Sequence, residues 1–283
     1  MKLIVESGAT KTDWSALTPD GTVKSYKTAG INLATMPSEV ISTIVDEAVA
    51  GLGAESVDSV HFYAAGLISD GGKVPELARG LDGELSLLFP FAEKEYTSDL
   101  MGAARAVCGR EAGIAAILGT GSNSCFYDGE KIVKNVRSGG YILGDEGGGA
   151  VLGKLFVSDF LKNRVPAWIA DDFASRYEVD YMTVVRNVYR GDAPSKYLGQ
   201  FAPYILGFYG KDDYVTDLVE GNFRNFIERA LKQYDVDRYQ VGVIGGFGYA
   251  TREILRKVGA VCGITFSRIM AAPMEGLIEY HKV

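Results

Sequence analysis

The sequence predicts an α/β protein built from two similar halves. Three observations carry this. The order strand, Gly/Thr turn, strand, Asp-Gly, strand runs from Lys2 to Thr28 and returns from Gly113 to Arg137, about 110 residues later. The chain holds 35 glycines, many collected in short clusters at the ends of apolar runs, where backbone must take φ > 0 or approach a ligand closely. Beyond the second strand group the pattern turns mainly helical.

Taken in order, Lys2–Ser7 reads as a buried strand, Gly8–Thr10 as a turn and Thr12–Leu17 as a second strand. Asp20-Gly21 is a hairpin signal, and Thr22–Thr28 is the third strand. After Pro37, apolar residues at Val40, Ile41, Ile44, Val45, Ala48, Val49 and Leu52 share one helical face, which Gly51 and Gly53 stop. Val57–Ala65 is a strand, a short helix is expected near Pro75–Gly80, Leu85–Phe89 and Glu95–Ser98 read as extended, and Leu100–Cys108 as a helix. The second half opens with strands at Gly113–Leu118, Ser124–Tyr127 and Lys131–Arg137. Helical patterns follow at Glu146–Asn163, Asp171–Tyr177, Tyr181–Tyr189 and Thr216–Tyr234. Gln240–Ile244 is a strand ending in Gly245-Gly246-Phe247-Gly248, then come a helix through Lys257 and a last one at Ala272–Tyr280. The tight boundary near Gly109–Gly113 favours a hinged pair over beads on a string.

Composition narrows the function. With 29 Lys+Arg against 36 Asp+Glu the net charge is −7, the wrong sign for a general nucleic-acid binder. No apolar run approaches the ~20 residues of a membrane span, and MKLIV does not read as a secretory signal. Cys108, Cys125 and Cys262 form no metal spacing, which suits a reducing, cytoplasmic setting. With only His61 and His281, a His-based triad or His-rich metal site is nearly excluded.

The chemistry-bearing clusters follow. Glu6–Thr12 can aim backbone N–H groups and Thr hydroxyls at a phosphate, and Gly119–Asn123 occupies the equivalent place in the second half. Gly245–Gly248 would let backbone approach a flat ligand. Asp99 sits where a strand gives way to a helix, a place for an N-cap or for a general base. Asp145-Glu146 lies between glycines, suited to sugar hydroxyls. Gly148–Leu155 has P-loop spacing but lacks the Ser/Thr and lies in a helical pattern, so it reads as coincidence. Gly119-Thr120-Gly121 begins like a dinucleotide fingerprint, yet a hairpin follows it, which argues against a Rossmann dehydrogenase.

Glu6–Trp14 (ESGATKTDW), Asp99, Leu118–Asn123 (LGTGSN), Gly144–Gly148 (GDEGG) and Val243–Phe247 (VIGGF) together resemble the BadF/BadG/BcrA/BcrD-type ATPase family of the sugar kinase, Hsp70 and actin superfamily, and within it the N-acetylglucosamine kinases. The resemblance covers nearly the whole chain. It implies two ribonuclease-H-like domains with an interdomain ATP cleft: residues 1–111, joined by a C-terminal helix at 272–283, and residues 112–271 with a helical insertion. It implies ATP bound by Gly8, Thr10, Lys11, Thr12, Gly119, Thr120, Gly121, Gly245 and Gly246. It makes Asp99 the catalytic base, with Asn32, Asp99, Asn123 and Asp145 on the sugar and Glu6 near Mg²⁺, in part through water. The expected reaction is phosphorylation of an N-acetylated amino sugar at its 6-hydroxyl, by a homodimer. The family's first motif usually opens Asp-Gly-Gly, and Glu6-Ser7-Gly8 departs from it. That departure leaves a non-catalytic nucleotide- or sugar-binding regulator as one alternative. An ATPase that activates a 2-hydroxyacyl-CoA dehydratase is the other.

Overall fold

The computed structural model describes residues 1–8, 11–67 and 73–282. The chain divides into two compact units, Met1–Glu111 with Asp128–Ile132 and Ala272–Val283, and Ala112–Tyr127 with Val133–Ala271.

The first unit contains β1 (Lys2–Ser7), β2 (Lys11–Leu17), β3 (Val23–Ala29), α1 (Ser38–Leu52), β4 (Ser59–Ala64), a 3-10 turn at Glu76–Ala78, α2 (Arg79–Leu88), β5 (Glu93–Ser98) and α3 (Asp99–Cys108). Its sheet has the order β3-β2-β1-β4-β5. β1 and β2 pair antiparallel and β1, β4 and β5 run parallel. β1 and β2 are buried almost throughout, and their residues Leu3, Val5 and Trp14, with Phe62 of β4, build a core against Ile41, Val45 and Ala48 of α1. Trp14 satisfies its indole N–H on Thr28 Oγ1 at 2.9 Å.

One expectation fails here. Leu85–Phe89 is not extended, because α2 runs to Leu88. Leu81 and Leu85, four residues apart, bury one face of the helix, while Leu87 is 80% exposed. A run of apolar residues without a period let that one-faced burial pass for a strand.

The second unit opens with β6 (Gly113–Leu118), β7 (Ser122–Tyr127) and β8 (Ile132–Val136). Helices α4 (Gly140–Leu143), α5 (Gly149–Leu161), α6 (Ala167–Arg176), α7 (Tyr181–Tyr189), α8 (Pro194–Gly199), α9 (Ala202–Leu206) and α10 (Asp213–Arg229) follow. Then come β9 (Val241–Ile244), α11 (Gly246–Ala250), α12 (Arg252–Val261) and β10 (Phe266–Met270), and α13 (Met274–His281) returns to the first unit. The sheet order β10-β9-β6-β7-β8 repeats that of the first unit element for element. β10 had no signal in the sequence reading. The helices from α5 to α10 form an aromatic core, in which Phe173 stacks edge-on against Phe156 at 5.0 Å and Phe201 at 5.2 Å. The P-loop-like Gly148–Leu155 is the first part of α5 and not a loop after a strand. Among the described residues no helix is long and apolar enough to cross a membrane.

Candidate active site

In the first unit the site grows from the ends of parallel strands. β1 ends at Ser7, and Gly8 N–H donates to Lys11 O at 3.0 Å, closing the turn into β2. Thr10 lies outside the described residues. Register puts Glu6 of β1 opposite Asp13 of β2. Burial pushes the Glu6 carboxyl up to about 7, and the nearby charges of Asp13 and Asp99 push the same way against Lys11. Lys11 Nζ is held by Asp13 Oδ2 at 2.6 Å, and Lys27 Nζ stands 3.5 Å from Asp13 Oδ1. Sequence reasoning passed over Asp13, although strand pairing with Glu6 could have found it.

Thr12 is fully buried, with its hydroxyl 2.8 Å from that of Ser7. In this arrangement it supports the turn and does not present its hydroxyl to a ligand. The Ser7 oxygen also accepts from Ile31 N–H at 3.1 Å. The residue that departs from the family's Gly therefore ties the end of β1 to the loop carrying Asn32. Asn32 Oδ1 accepts from Ala34 N–H at 3.0 Å, leaving its amide N–H groups for other partners.

Asp99 is the first residue of α3, and the N-cap is Ser98, whose Oγ accepts from Met101 N–H at 3.1 Å. The capping role open to Asp99 in the sequence thus belongs to its neighbour. Asp99 Oδ1 takes Leu100 N–H at 2.8 Å, and burial raises its carboxyl above the ordinary range. A half-buried carboxylate at a strand end, not spent on the cap, is placed as a general base needs to be.

In the second unit the β6–β7 turn is built from Gly119-Thr120-Gly121, with Gly119 N–H on Gly121 O at 3.0 Å. The start of α5 braces it: Gly149 N–H donates to Gly119 O and Ala150 N–H to Thr120 O, both at 2.9 Å. Thr120 itself is exposed. Asp145 reaches the same turn. Its Oδ1 accepts from Ser122 N–H at 3.3 Å, and a Cβ on Gly121 would lie 2.6 Å from its Oδ2. Asp145 holds φ at 56°, a left-handed value that costs a non-glycine residue and clusters at functional sites. Burial raises its carboxyl.

Glu146 is paired with Arg229 at 2.7 Å. Asn123 Oδ1 accepts from Ser124 N–H and Asn135 Nδ2, both at 2.9 Å, so its own amide N–H groups remain as donors. A cavity of about 250 Å³ beside Asn123 is lined by Ser122, Arg137, Ser138, Glu146 and Arg229 among others. At the end of β9, Gly245 takes φ 130°, and a Cβ there would sit 2.3 Å from Leu118 O. Gly246, which starts α11, meets open space where a Cβ would go and is exposed.

Among the described residues no group of three or more His, Cys, Asp or Glu side chains is arranged to hold a metal ion. Burial pushes the Cys108 thiol up to about 12, and Cys125 is buried.

No protein-family model and no curated protein matches the chain. Among solved structures, a protein from Porphyromonas gingivalis described as a putative N-acetylglucosamine kinase is 37% identical, with a TM-score of 0.88 over 100% of this chain and 99% of that one. The chain belongs to the actin-like sugar kinase family. Two further members of this architecture share its fold. A Chromobacterium violaceum protein, also described as a putative N-acetylglucosamine kinase, has TM-score 0.73 and 19% identity over 99% of this chain and 98% of its own. A ROK family glucokinase from Streptomyces griseus, solved with glucose and AMPPNP, has TM-score 0.57 and 16% identity over 99% and 97%.

Proposed function

We propose that this sugar kinase uses ATP to phosphorylate the 6-hydroxyl of an N-acetylated amino sugar such as N-acetylglucosamine. The observation that carries the reading is Asp99, a half-buried carboxylate whose expected capping duty is done by Ser98. The 37% identity to the Porphyromonas gingivalis protein over the full chain supports the amino-sugar substrate.

In this reading the sugar hydroxyl oxygen attacks the γ-phosphorus, the bond to the β-phosphate oxygen breaks, and ADP leaves. The hydroxyl proton passes to Asp99. Gly8, Thr10, Lys11, Gly119, Thr120 and Gly121 hold the phosphates, with Thr12 acting through Ser7, and Gly245 and Gly246 accept the adenosine. Asn32, Asn123 and Asp145 hold the sugar. Mg²⁺ fits beside Glu6 alone, whose carboxyl is pushed up by burial and then by the charges of Asp13 and Asp99, and whose ionisation a cation would ease. Glu6 would hold it in part through water, and the ion would supply neutralisation of phosphate charge.

The test is ADP release with Mg-ATP over a panel of amino sugars and hexoses, with mass spectrometry of the products, for the wild type and Asp99→Asn. The variant should fold and bind ATP while transfer falls about 10²–10⁴-fold, the usual worth of a general base. Wild-type transfer by Asp99→Asn would refute the assignment. The non-catalytic regulator remains the second reading because of one observation, the Glu6 carboxyl near 7, which leaves it partly protonated at neutral pH before a cation arrives. ATP binding without product from any sugar would favour it.

A further inference from the structure

One face of α10 is devoted to the turn that carries Asp145. Asn222, Phe226 and Arg229 stand at successive turns of the helix, and each meets this segment. Asn222 is 1% exposed and uses both ends of its amide. Its Oδ1 accepts from Gly147 N–H at 3.0 Å and its Nδ2 donates to Gly148 O at 3.2 Å. Phe226 closes over Gly147, where a Cβ would lie 2.7 Å from the Phe226 Cβ. Arg229 holds Glu146.

The segment needs such a brace. Its backbone turns through φ 56° at Asp145 and φ 80° at Gly147, so Gly147 N–H finds no main-chain partner, while Gly148 O accepts from Leu152 N–H at 3.2 Å as α5 begins. Gly148 N–H returns to Asp145 O at 3.0 Å, and Asp145 N–H goes to Ser138 O at 3.0 Å. Asn222 supplies the acceptor that Gly147 N–H needs and a second donor to Gly148 O. It meets one donor and one acceptor of the main chain in a buried place that water does not reach.

We propose that Asn222 is a positioning residue for sugar recognition: its side-chain amide fixes the Gly147–Gly148 backbone, and through it the strained Asp145 carboxylate and the Glu146 wall of the cavity beside Asn123. The inference rests on the kinase reading given above, in which Asp145 holds the sugar. Asn222 touches neither substrate nor phosphate. The phosphate turn keeps two bonds that Asn222 does not make, Gly149 and Ala150 N–H on Gly119 and Thr120, although Gly149 N–H belongs to the same peptide unit as Gly148 O. Loss of Asn222 therefore acts on the sugar before it acts on ATP.

Two variants with the same side-chain branching test this. Asn222→Asp keeps the acceptor for Gly147 N–H and, when ionised, loses the donor to Gly148 O. Asn222→Leu loses both. Each is assayed for KM of the sugar, KM of ATP and kcat, with thermal melting as a check on folding. Amide hydrogen exchange is followed over residues 144–149. The expected result is a fall of about tenfold or more in kcat/KM for the sugar, carried by KM, since a binding group displaced by about 1 Å can cost up to 10²-fold. KM for ATP should stay within about twofold, and exchange at 144–149 should quicken while exchange in β6 and β9 does not. A sugar KM unchanged in a folded Asn222→Leu, which loses the acceptor for Gly147 N–H, overturns the inference. So does an equal rise in both KM values with a general loss of exchange protection, which marks a merely structural role. If Asn222→Leu does not fold, Asn222→Ala, which loses the same two bonds without added bulk, decides. A wild type that phosphorylates no sugar overturns the kinase reading and this inference with it, whereas a failure confined to the variants leaves that reading standing.

Discussion

Replacing Glu6 by Gln should stabilise the ligand-free protein at pH 8 and leave it unchanged near pH 4.5. The Glu6 carboxyl moves from its ordinary 4.5 to about 7 on folding, with burial as the largest cause and Asp13 the next. A raised carboxyl means the folded state holds its proton longer than the unfolded one. The contribution of Glu6 to stability is then fully present below the unfolded value and lost as pH rises through about 7. Above that, keeping it ionised in the folded state costs about 3 kcal/mol relative to a neutral group of the same shape. Gln has that shape and never ionises. For a body of this size the gain corresponds to roughly 6–12 °C in melting temperature. The chain has two tryptophans, Trp14 in the first unit and Trp168 in the second. In a Trp168→Phe background, Trp14 fluorescence follows melting of the first unit alone, without ATP or Mg²⁺, at both pH values. A gain of the same size at the two pH values would refute the reasoning, because only ionisation separates them. No gain at pH 8 would show that Glu6 is not held out of water. The stabilised variant should also lose turnover, since it cannot meet a cation.

The remaining predictions bear on neighbouring parts of the site. Ser98→Ala removes the cap of α3 and should lower stability by about 1 kcal/mol, with kcat falling further than that loss explains because Asp99 is the next residue; urea melts and steady-state kinetics separate the two. Gly121→Ala sets a Cβ 2.6 Å from Asp145 Oδ2, so it should leave the circular dichroism spectrum intact while raising KM for the sugar about tenfold or more. An unchanged KM would mean that Asp145 moves aside at no cost.

The parts of this protein that could be read from its sequence are those whose signal is local. A short apolar run ending in a turn marks β1, and Asp-Gly marks the hairpin between β2 and β3. Repetition of that order a hundred or so residues on exposed the second sheet, because the two units use the same strand order for the same pairing reasons. The position of Asp99 at the passage from strand to helix was legible, but the choice between Ser98 and Asp99 as cap was not. Both are good caps, and the decision falls to backbone geometry. Ser98 is still paired with Ala64 in the β5 ladder and so keeps the extended conformation a cap requires, which makes Asp99 the first helical residue. The same limit applied to Thr12, whose hydroxyl could be read as a phosphate ligand until register set it against Ser7.

Asn222 lies beyond any local signal. It is one polar residue in an amphipathic helix, with no motif around it and its two partners 75 and 74 residues away in sequence. What gives it meaning is the φ of Gly147, a backbone state that leaves the Gly147 N–H without a main-chain partner in a dry place. Motifs of this family thus mark where ligand-facing groups are, while the groups that hold them still are chosen by whichever element the fold packs behind. For that reason a substitution on α10, outside every recognised motif, should alter sugar selectivity while one at the equally buried Val219 of the same helix should alter stability alone.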